Sequence, residues 1–520
     1  MAVVVAPRPR EHDYGKAHLP EVTVTYRPPL LKRLPLGRGV SVIWAQMDVF
    51  EELERIFHPR SIAVVGASAH RDSPGHDYVL SLLQYGFQGA IYPINPRLEE
   101  LLGLKAYPSV EAVPGPVDYV ISCIPNRGVI GLVEECGRKG VQAIQLFTAR
   151  FSETGREEGK RLERELLLRA RAMGVRIIGP NCMGLHYPKL GITFRPDMIA
   201  PAGPIGFLSQ SGNLLFELNY LGRGRGLFFS KAISYGNGLD LDEADFLRYF
   251  AHDPETRIIG AYIEGVKEGR RFWEALREAA SVKPTVLLKG GRTEGGGRTA
   301  SSHTAALAGS YKVWEAAVRQ AGALPVKSLE ELMDLLIAFS RWTPAKGKGI
   351  GVVGGGGGRS VLAADRCEEE GLSTPPLTAE IEAHIAVKAP DLAGWVTNPV
   401  DQSILAGSGV GGAEILALMA RDPQYDGLVA ILGEPWALGR PNAQAIVRRV
   451  AQRFLEIGQG IEKPIAVVVN HLDYEEEWQW RLLMEVRREL VEGGMAVFPS
   501  VDRAVVALAR FLAYWEGRDS

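Results

Sequence analysis

The residues best suited to chemistry lie between Leu288 and Thr304, in the stretch LKGGRTEGGGRTASSHT. It follows the apolar run PTVLL, and five of the eight residues 290–297 are glycine. Glycine makes a poor core and frees the backbone, so a mobile, solvated loop is expected here. His303 stands at its far end, between Ser302 and Thr304. An imidazole of ordinary pKa, about 6.5, is largely neutral at pH 7, which leaves one ring nitrogen as a nucleophile. Such a ring accepts a phosphoryl group when a carboxylate orients its other nitrogen. Glu264, at the end of the apolar run IIGAYIEG, is the candidate for that carboxylate. A solvated acid at a strand end is the alternative reading.

Two further turns could hold an anion. Ser211, Gly212 and Asn213 sit between the run IGFLS and the helical stretch NLLFELNYLG. Small residues there leave helix N–H groups free for phosphate, and the helix dipole adds to the attraction. An ordinary serine N-cap explains the same residues. Gly66, Ala67 and Ser68 follow the run IAVV and precede a helix. A dinucleotide fingerprint would need further glycines, but Ala67 and Ala69 intervene. The acidic residue expected after the second strand is also replaced by YPINPR. A nicotinamide-dependent oxidoreductase is therefore disfavoured, and a tight turn that binds nothing stays open.

These residues need elements to position them. From Ser61 to about Cys182, short apolar runs (SIAVVG, GAIYPIN, DYVISCIP, VQAIQLFT, VRIIGPN) alternate with amphipathic stretches such as EEGKRLERELLLRARAMG. The pattern predicts βαβ units and a parallel sheet, with ligands at the carboxyl ends of its strands. A second alternating unit begins near Pro204, and a linker at 344–349 precedes a third, which opens on the pentaglycine Gly354–Gly358. The expected fold class is α/β, with three doubly wound parallel-sheet domains in series, one Rossmann-like and two flavodoxin-like. Their expected bounds are 47–190, 195–343 and 347–516. Residues 1–46, with six prolines and no sustained period, are expected to be an irregular extension.

Composition narrows the class. The chain has 520 residues, 46% hydrophobic and 23% charged, and a net charge of −2. Such a balance gives no footprint for nucleic acid or an anionic membrane. No apolar run has the length of a membrane span. Cys123, Cys136, Cys182 and Cys367 are widely spaced and form no CxxC pair, as expected of reduced thiols in a cytoplasmic protein. No metal-ligand set stands out.

At this point the residues resemble a family. GRTEGGGRTASSHTAALAG is similar to the phosphohistidine loop of NDP-forming acyl-CoA synthetases, relatives of succinyl-CoA synthetase. SIAVVGAS, GAIYPINP, IGPNCMG, FLSQSGNL, SYGNGLDLDEADFLRYFAHDP, YIEG and NPVD match further motifs in family order, over about residues 50–515. The resemblance implies a ligase subunit. His303 would carry the phosphoryl group and Glu264 would bond its ring. Gly66, Ala67, Ser68, Asn95, Pro96, Pro125 and Asn126 would line a CoA site. Ser211, Gly212 and Asn213 would hold phosphate, with Asn181 and Asn237 near the acyl and phosphate groups. The nucleotide, ADP or ATP with Mg, would be held by a separate ATP-grasp beta subunit, since three α/β units already fill the chain, and a hetero-oligomer is implied. The substrate would be a small carboxylic acid or its acyl-CoA. The chain departs from the pattern at RDSPGHDYVL, where His76 falls about where a lysine would meet CoA, and at HTAALAG, which replaces HTGSLAG. A non-catalytic CoA-binding or regulatory protein of the same fold is the alternative; it would need neither His303 nor Glu264.

Overall fold

The computed structural model describes residues 48–198, 201–304, 310–433, 435–470 and 476–518, and for 300–304, 435 and 436 it describes the backbone alone. The extension expected over residues 1–46 and the side chain of His303 lie outside the described residues.

Short runs of β-branched and aliphatic residues become strands buried on both faces, as parallel sheets require. The first sheet consists of Ser61–Val65 (β1), Ala90–Ile94 (β2), Tyr119–Ser122 (β3), Ala143–Leu146 (β4) and Arg176–Ile178 (β5). All its pairings are parallel, in the order β2-β1-β3-β4-β5. The chain leaves β1 for one neighbour and returns on its other side, so the topological switch point lies between β1 and β3. In such sheets the crevice beyond the carboxyl ends at that point takes the ligand.

The second sheet has six strands: Gly184–His186 (β6), Ile205–Ser209 (β7), Phe229–Ser234 (β8), Ile258–Ile263 (β9), Thr285–Lys289 (β10) and Leu324–Val326 (β11). Their order is β11-β10-β9-β7-β8-β6, with the switch point between β7 and β9. Sequence periodicity did not announce β6. It lies in the stretch expected to belong to the first unit, yet it pairs antiparallel with β8. Asn181, at φ +57°, and Gly184, at φ +79°, redirect the chain just ahead of it.

The third sheet is parallel, with Ile350–Val353 (β12), Gly427–Leu432 (β13), Ile465–Val469 (β14) and Ala496–Phe498 (β15) in sequence order. Parallel bridges from Gly349 to Ser373 and from Val353 to Val400 flank the outer edge of β12. Parallel sheets of the expected α/β class are therefore present, the second with an antiparallel edge; the third runs in sequence order and lacks the switch point of a doubly wound sheet.

Packing ties the sheets together. The helix Leu329–Arg341 of the second unit lies on Val501–Glu516 of the third, where Phe339 meets Phe511 and Tyr514 with ring centroids 5.1 and 5.0 Å apart. Asp334, buried in that seam, accepts from Arg225 (2.5 Å) and Arg503 (2.6 Å). The first helix, Val49–Phe57, packs across the first and second units. Its Phe57 meets the Tyr249 ring edge-on at 4.8 Å, and its Glu54 accepts from the Tyr249 hydroxyl at 2.7 Å.

The main surprise is the glycine-rich segment. The loop expected there is instead a helix, Glu294–Thr304. The Thr293 hydroxyl accepts from Gly296 N (3.1 Å), which satisfies one of the donors a helix start leaves open. Glu294 pairs with Arg298 one turn on at 2.8 Å. The helix also lies against the turn Ser152–Thr154 of the first unit. Capping and this tertiary contact outweigh the cost of three glycines, about 1 kcal/mol each relative to alanine.

Candidate functional site

The first cluster forms at the β1/β3 switch point. Gly66, at φ +87°, turns the chain out of β1 and packs against the Cys123 carbonyl that follows β3, where a Cβ would come within 3.2 Å of the oxygen. Next to it, the helix Pro74–Gln84 starts so close that a Cβ on Gly75 would lie 2.1 Å from the Gly66 oxygen. Asn95, after β2, donates its Nδ2 to the Ala67 carbonyl at 2.7 Å, which fixes that turn from the neighbouring strand. Ser68 accepts from His70 N (3.1 Å). Pro96 and Pro125 are exposed. Pro125 opens the short turn Asn126–Gly128, and Asn126 donates to the Arg150 carbonyl at 2.8 Å. All seven residues expected to line a CoA site therefore follow β1, β2 or β3 at their carboxyl ends. His76 adds a buried Nδ1 with no partner among the described residues, an acceptor or donor poised beside the same turn.

The second cluster forms at the β7/β9 switch point. Ser211 caps the helix Gly212–Gly222, its Oγ accepting from Leu214 N at 3.3 Å. The capping reading and the anion reading coexist here, because the first-turn N–H groups of Gly212 and Asn213 have no partner within the helix. Gln210, directly before Ser211, reaches across to β9: its Oε1 accepts from Glu264 N and from Gly265 N (2.9 Å). Glu264 is buried at the end of β9, in hydrogen-bond contact with the Tyr262 hydroxyl, whose pKa rises through burial and that carboxylate. Lys289, at the end of β10, donates to the carbonyls of Glu264 (2.6 Å) and Gly290 (2.5 Å), and burial lowers its pKa. From this point the chain runs into the helix that carries His303. Gly290 is small for a reason: a Cβ there would lie 2.5 Å from the Tyr262 oxygen and 3.1 Å from Glu264 Cγ.

The two clusters meet through Asn181 and Asn237. Asn181 N donates to the Thr148 carbonyl (2.9 Å), and Asn237 N donates to the Pro180 carbonyl (3.0 Å). Gly236 packs on the Pro180 and Asn181 oxygens, 2.2 and 2.3 Å from where its Cβ would be. Lys267 holds the same loop by donating to the carbonyls of Asn237 (2.8 Å) and Gly238 (3.0 Å). Asn237 is buried and sends its Nδ2 to two carboxylates of the first unit, Glu153 (2.8 Å) and Glu163 (3.1 Å). Six residues on, burial and then the neighbouring Asp242 push the Glu243 carboxyl up to about 8, beside the Tyr235 phenol.

Sequence reasoning missed Gln210, Tyr262, Lys289, Glu153 and Glu163. Gln210 and Lys289 had a signal, since both are strand-end positions inside stretches singled out for chemistry. The two glutamates had none. A separate cavity of about 760 Å³ opens in the third unit beside Gly354, Gly355 and Gly433, and it shares no lining residue with either cluster.

Comparison with known proteins follows the same division. Residues 60–188 match the family model of a CoA binding domain, and residues 202–339 match that of a succinyl-CoA ligase like flavodoxin domain. The chain is 39% identical over 403 residues to the acetate–CoA ligase [ADP-forming] II subunit alpha of Pyrococcus furiosus, covering 77% of this chain and 87% of that one. It is 35% identical over 466 residues to the I subunit alpha of the same organism, covering 88% and 96%. Among solved structures, the dinucleotide forming acetyl-coenzyme A synthetase 1 of Ca. Korarchaeum cryptofilum, in complex with phosphate and ADP, matches with a TM-score of 0.77 at 31% identity, over 90% of this chain and 97% of that chain. The chain belongs to the family of ADP-forming acetate–CoA ligases, on the alpha-subunit side of that family.

Proposed function

We propose that this chain is the CoA-binding, phosphohistidine-bearing subunit of an ADP-forming acyl-CoA synthetase, an acid–thiol ligase. The observation that carries the reading is the β7/β9 switch point. There a serine-capped helix start, a buried Glu264 and the strand leading into the His303 helix converge on one sheet edge. A binding protein without chemistry has no use for that combination.

The reaction runs as a relay. A phosphate oxygen attacks the acyl-CoA carbonyl; the C–S bond breaks and CoA leaves as its thiol, with acyl phosphate formed. A ring nitrogen of His303 then attacks phosphorus. The N–P bond forms, the P–O bond to the acyl group breaks, and the carboxylate leaves. Glu264 holds the ring and stabilises its charge, and the first-turn N–H groups behind Ser211 hold the phosphoryl oxygens. Positioning and charge stabilisation dominate such transfers. Finally a terminal oxygen of ADP attacks the phosphorus, the N–P bond breaks, and ATP is released. The reverse direction makes acyl-CoA.

The residues at the β1/β3 switch point suit the CoA half of this relay. They offer a turn with close backbone approach, and the buried His76 Nδ1 stands where a basic contact belongs. ADP and its Mg belong to an ATP-grasp beta subunit in a cytoplasmic hetero-oligomer, and the acid is acetate or another small acyl acid. Of the domains expected at 47–190, 195–343 and 347–516, the first takes CoA binding, the second, which also recruits the strand Gly184–His186, phosphoryl transfer, and the third packing. No helix of the described residues is long and apolar enough to cross a membrane.

The test is labelling with γ-labelled ATP and Mg in the presence of an ATP-grasp partner. Wild type should acquire acid-labile label and His303→Ala none. Equal labelling of both refutes the role of His303.

A further inference from the structure

The helix Glu294–Thr304 does not hang free: it lies against the turn Ser152–Thr154 of the first unit. Two carboxylates hold that turn, Glu153 from within it and Glu163 from the following helix. Glu153 folds back so that Oε1 accepts from Arg150 N and Phe151 N (3.0 Å), while Oε2 accepts from Phe151 N (3.0 Å) and from Asn237 Nδ2 (2.8 Å). Glu163 supports it from behind, accepting from Ser152 N and from Asn237 Nδ2, both at 3.1 Å. Arg150 sits at φ +75°, a conformation side chains avoid, and its carbonyl takes the hydrogen bond of Asn126. The turn is thus over-determined, which is how strained backbone persists at working sites.

Asn237 shows which way this junction faces. Its Nδ2 donates to two carboxylates, which leaves no ambiguity over which amide atom is nitrogen. Its Oδ1 therefore points the other way, buried and with no donor among the described residues.

We infer that Glu153 is a positioning residue. Together with Asn237 it sets the Ser152–Thr154 turn as a ledge on which the His303 helix docks for the exchange with acyl phosphate, and it takes no part in the exchange with nucleotide. The inference rests on the relay proposed above. Glutamate suits this place because the hydrogen-bond partners of its side chain, Arg150 N, Phe151 N and Asn237 Nδ2, are all N–H donors. A glutamine of the same shape would turn an NH2 group towards one of them.

The experiment compares two half-reactions in the full chain carrying Glu153→Gln. In the first, the chain alone is given acetyl-CoA and labelled inorganic phosphate. In the second, the chain and its ATP-grasp partner are given γ-labelled ATP and Mg. The expected result is a fall in the first labelling rate of about tenfold or more, as for loss of a charge-assisted hydrogen bond. The second rate should stay within about twofold, which also shows that the variant folds. Equal losses in both half-reactions mean a merely structural role and overturn the inference. No loss in either overturns it as well. His303→Ala is run beside it: labelling of that variant refutes the relay itself, a result separate from the behaviour of Glu153→Gln.

Discussion

Glu243 makes the structure's electrostatics measurable. Burial first, and then the Asp242 carboxylate next in the chain, raise its pKa from the ordinary 4.5 to about 8. Below pH 4.5 the carboxyl is protonated in both folded and unfolded chains and adds no pH dependence. Between 4.5 and 8 the unfolded chain has lost the proton that the folded one still holds, so stability falls as pH rises. Above 8 both are ionised and the loss is complete. At 1.36 kcal/mol per pH unit the whole window amounts to about 5 kcal/mol. Glu243→Gln keeps the shape and cannot ionise, so it removes this slope. The stability gap between variant and wild type should widen by about 3–4 kcal/mol from pH 5 to pH 8. Thermal unfolding at both pH values should show the variant gaining several degrees over wild type at pH 8 and little at pH 5. Infrared difference spectra at pH 7 should also show a protonated carboxyl that the variant lacks. A gap independent of pH, or no protonated carboxyl, would refute the reasoning.

Two further changes test the switch points. Gly290→Ala places a methyl 2.5 Å from the Tyr262 oxygen and 3.1 Å from Glu264 Cγ; overpacking of about 1–3 kcal/mol is expected, with phosphorylation of His303 falling further than the melting temperature accounts for. Asn95→Ala removes the 2.7 Å bond to the Ala67 carbonyl; about 1 kcal/mol of lost ordering should raise the KM for CoA roughly fivefold with kcat little changed, as steady-state kinetics would show.

The parts of the fold that were legible in the sequence share a physical cause. Runs such as SIAVV and IGFLS are mostly apolar because their strands are covered on both faces, so their burial is complete and a serine stands only at one end of each. The strand Gly184–His186 escaped notice because three residues carry no period, and it is made by pairing with Phe229–Ser234 rather than by its own composition. The helix Glu294–Thr304 escaped because glycine content argues against helix, and what stabilises it, the Thr293 cap and the Ser152–Thr154 contact, is partly remote in sequence. The strand-end positions of Gly66, Ser211 and Glu264 were legible for the opposite reason, since a strand followed by a small or polar residue is a local pattern; Asn95 and Asn126 came only from the family resemblance. Asn237 was noticed, but its carboxylate partners were not. Glu153 lies 84 residues away, and nothing in FSETG distinguishes a surface glutamate from one that organises a turn.

The architecture also bears on how one histidine can serve two chemistries. Both switch points belong to this chain, and the buried Asn237 joins them through two carboxylates on the far side of the interface. Acyl transfer needs that junction closed, because the CoA turn and the phosphate-ready helix start sit on different sheets. Nucleotide exchange needs the opposite, since the turn that meets the His303 helix belongs to the CoA-side unit and the proposed nucleotide site lies on another subunit. Reversible docking resolves the conflict: three glycines keep the helix's own stability low, and the Ser152–Thr154 turn that Glu153 is proposed to set is a surface it meets. Gly295, Gly296 and Gly297 would then serve to make docking reversible, and replacing Gly295 and Gly296 with alanine should slow the overall cycle.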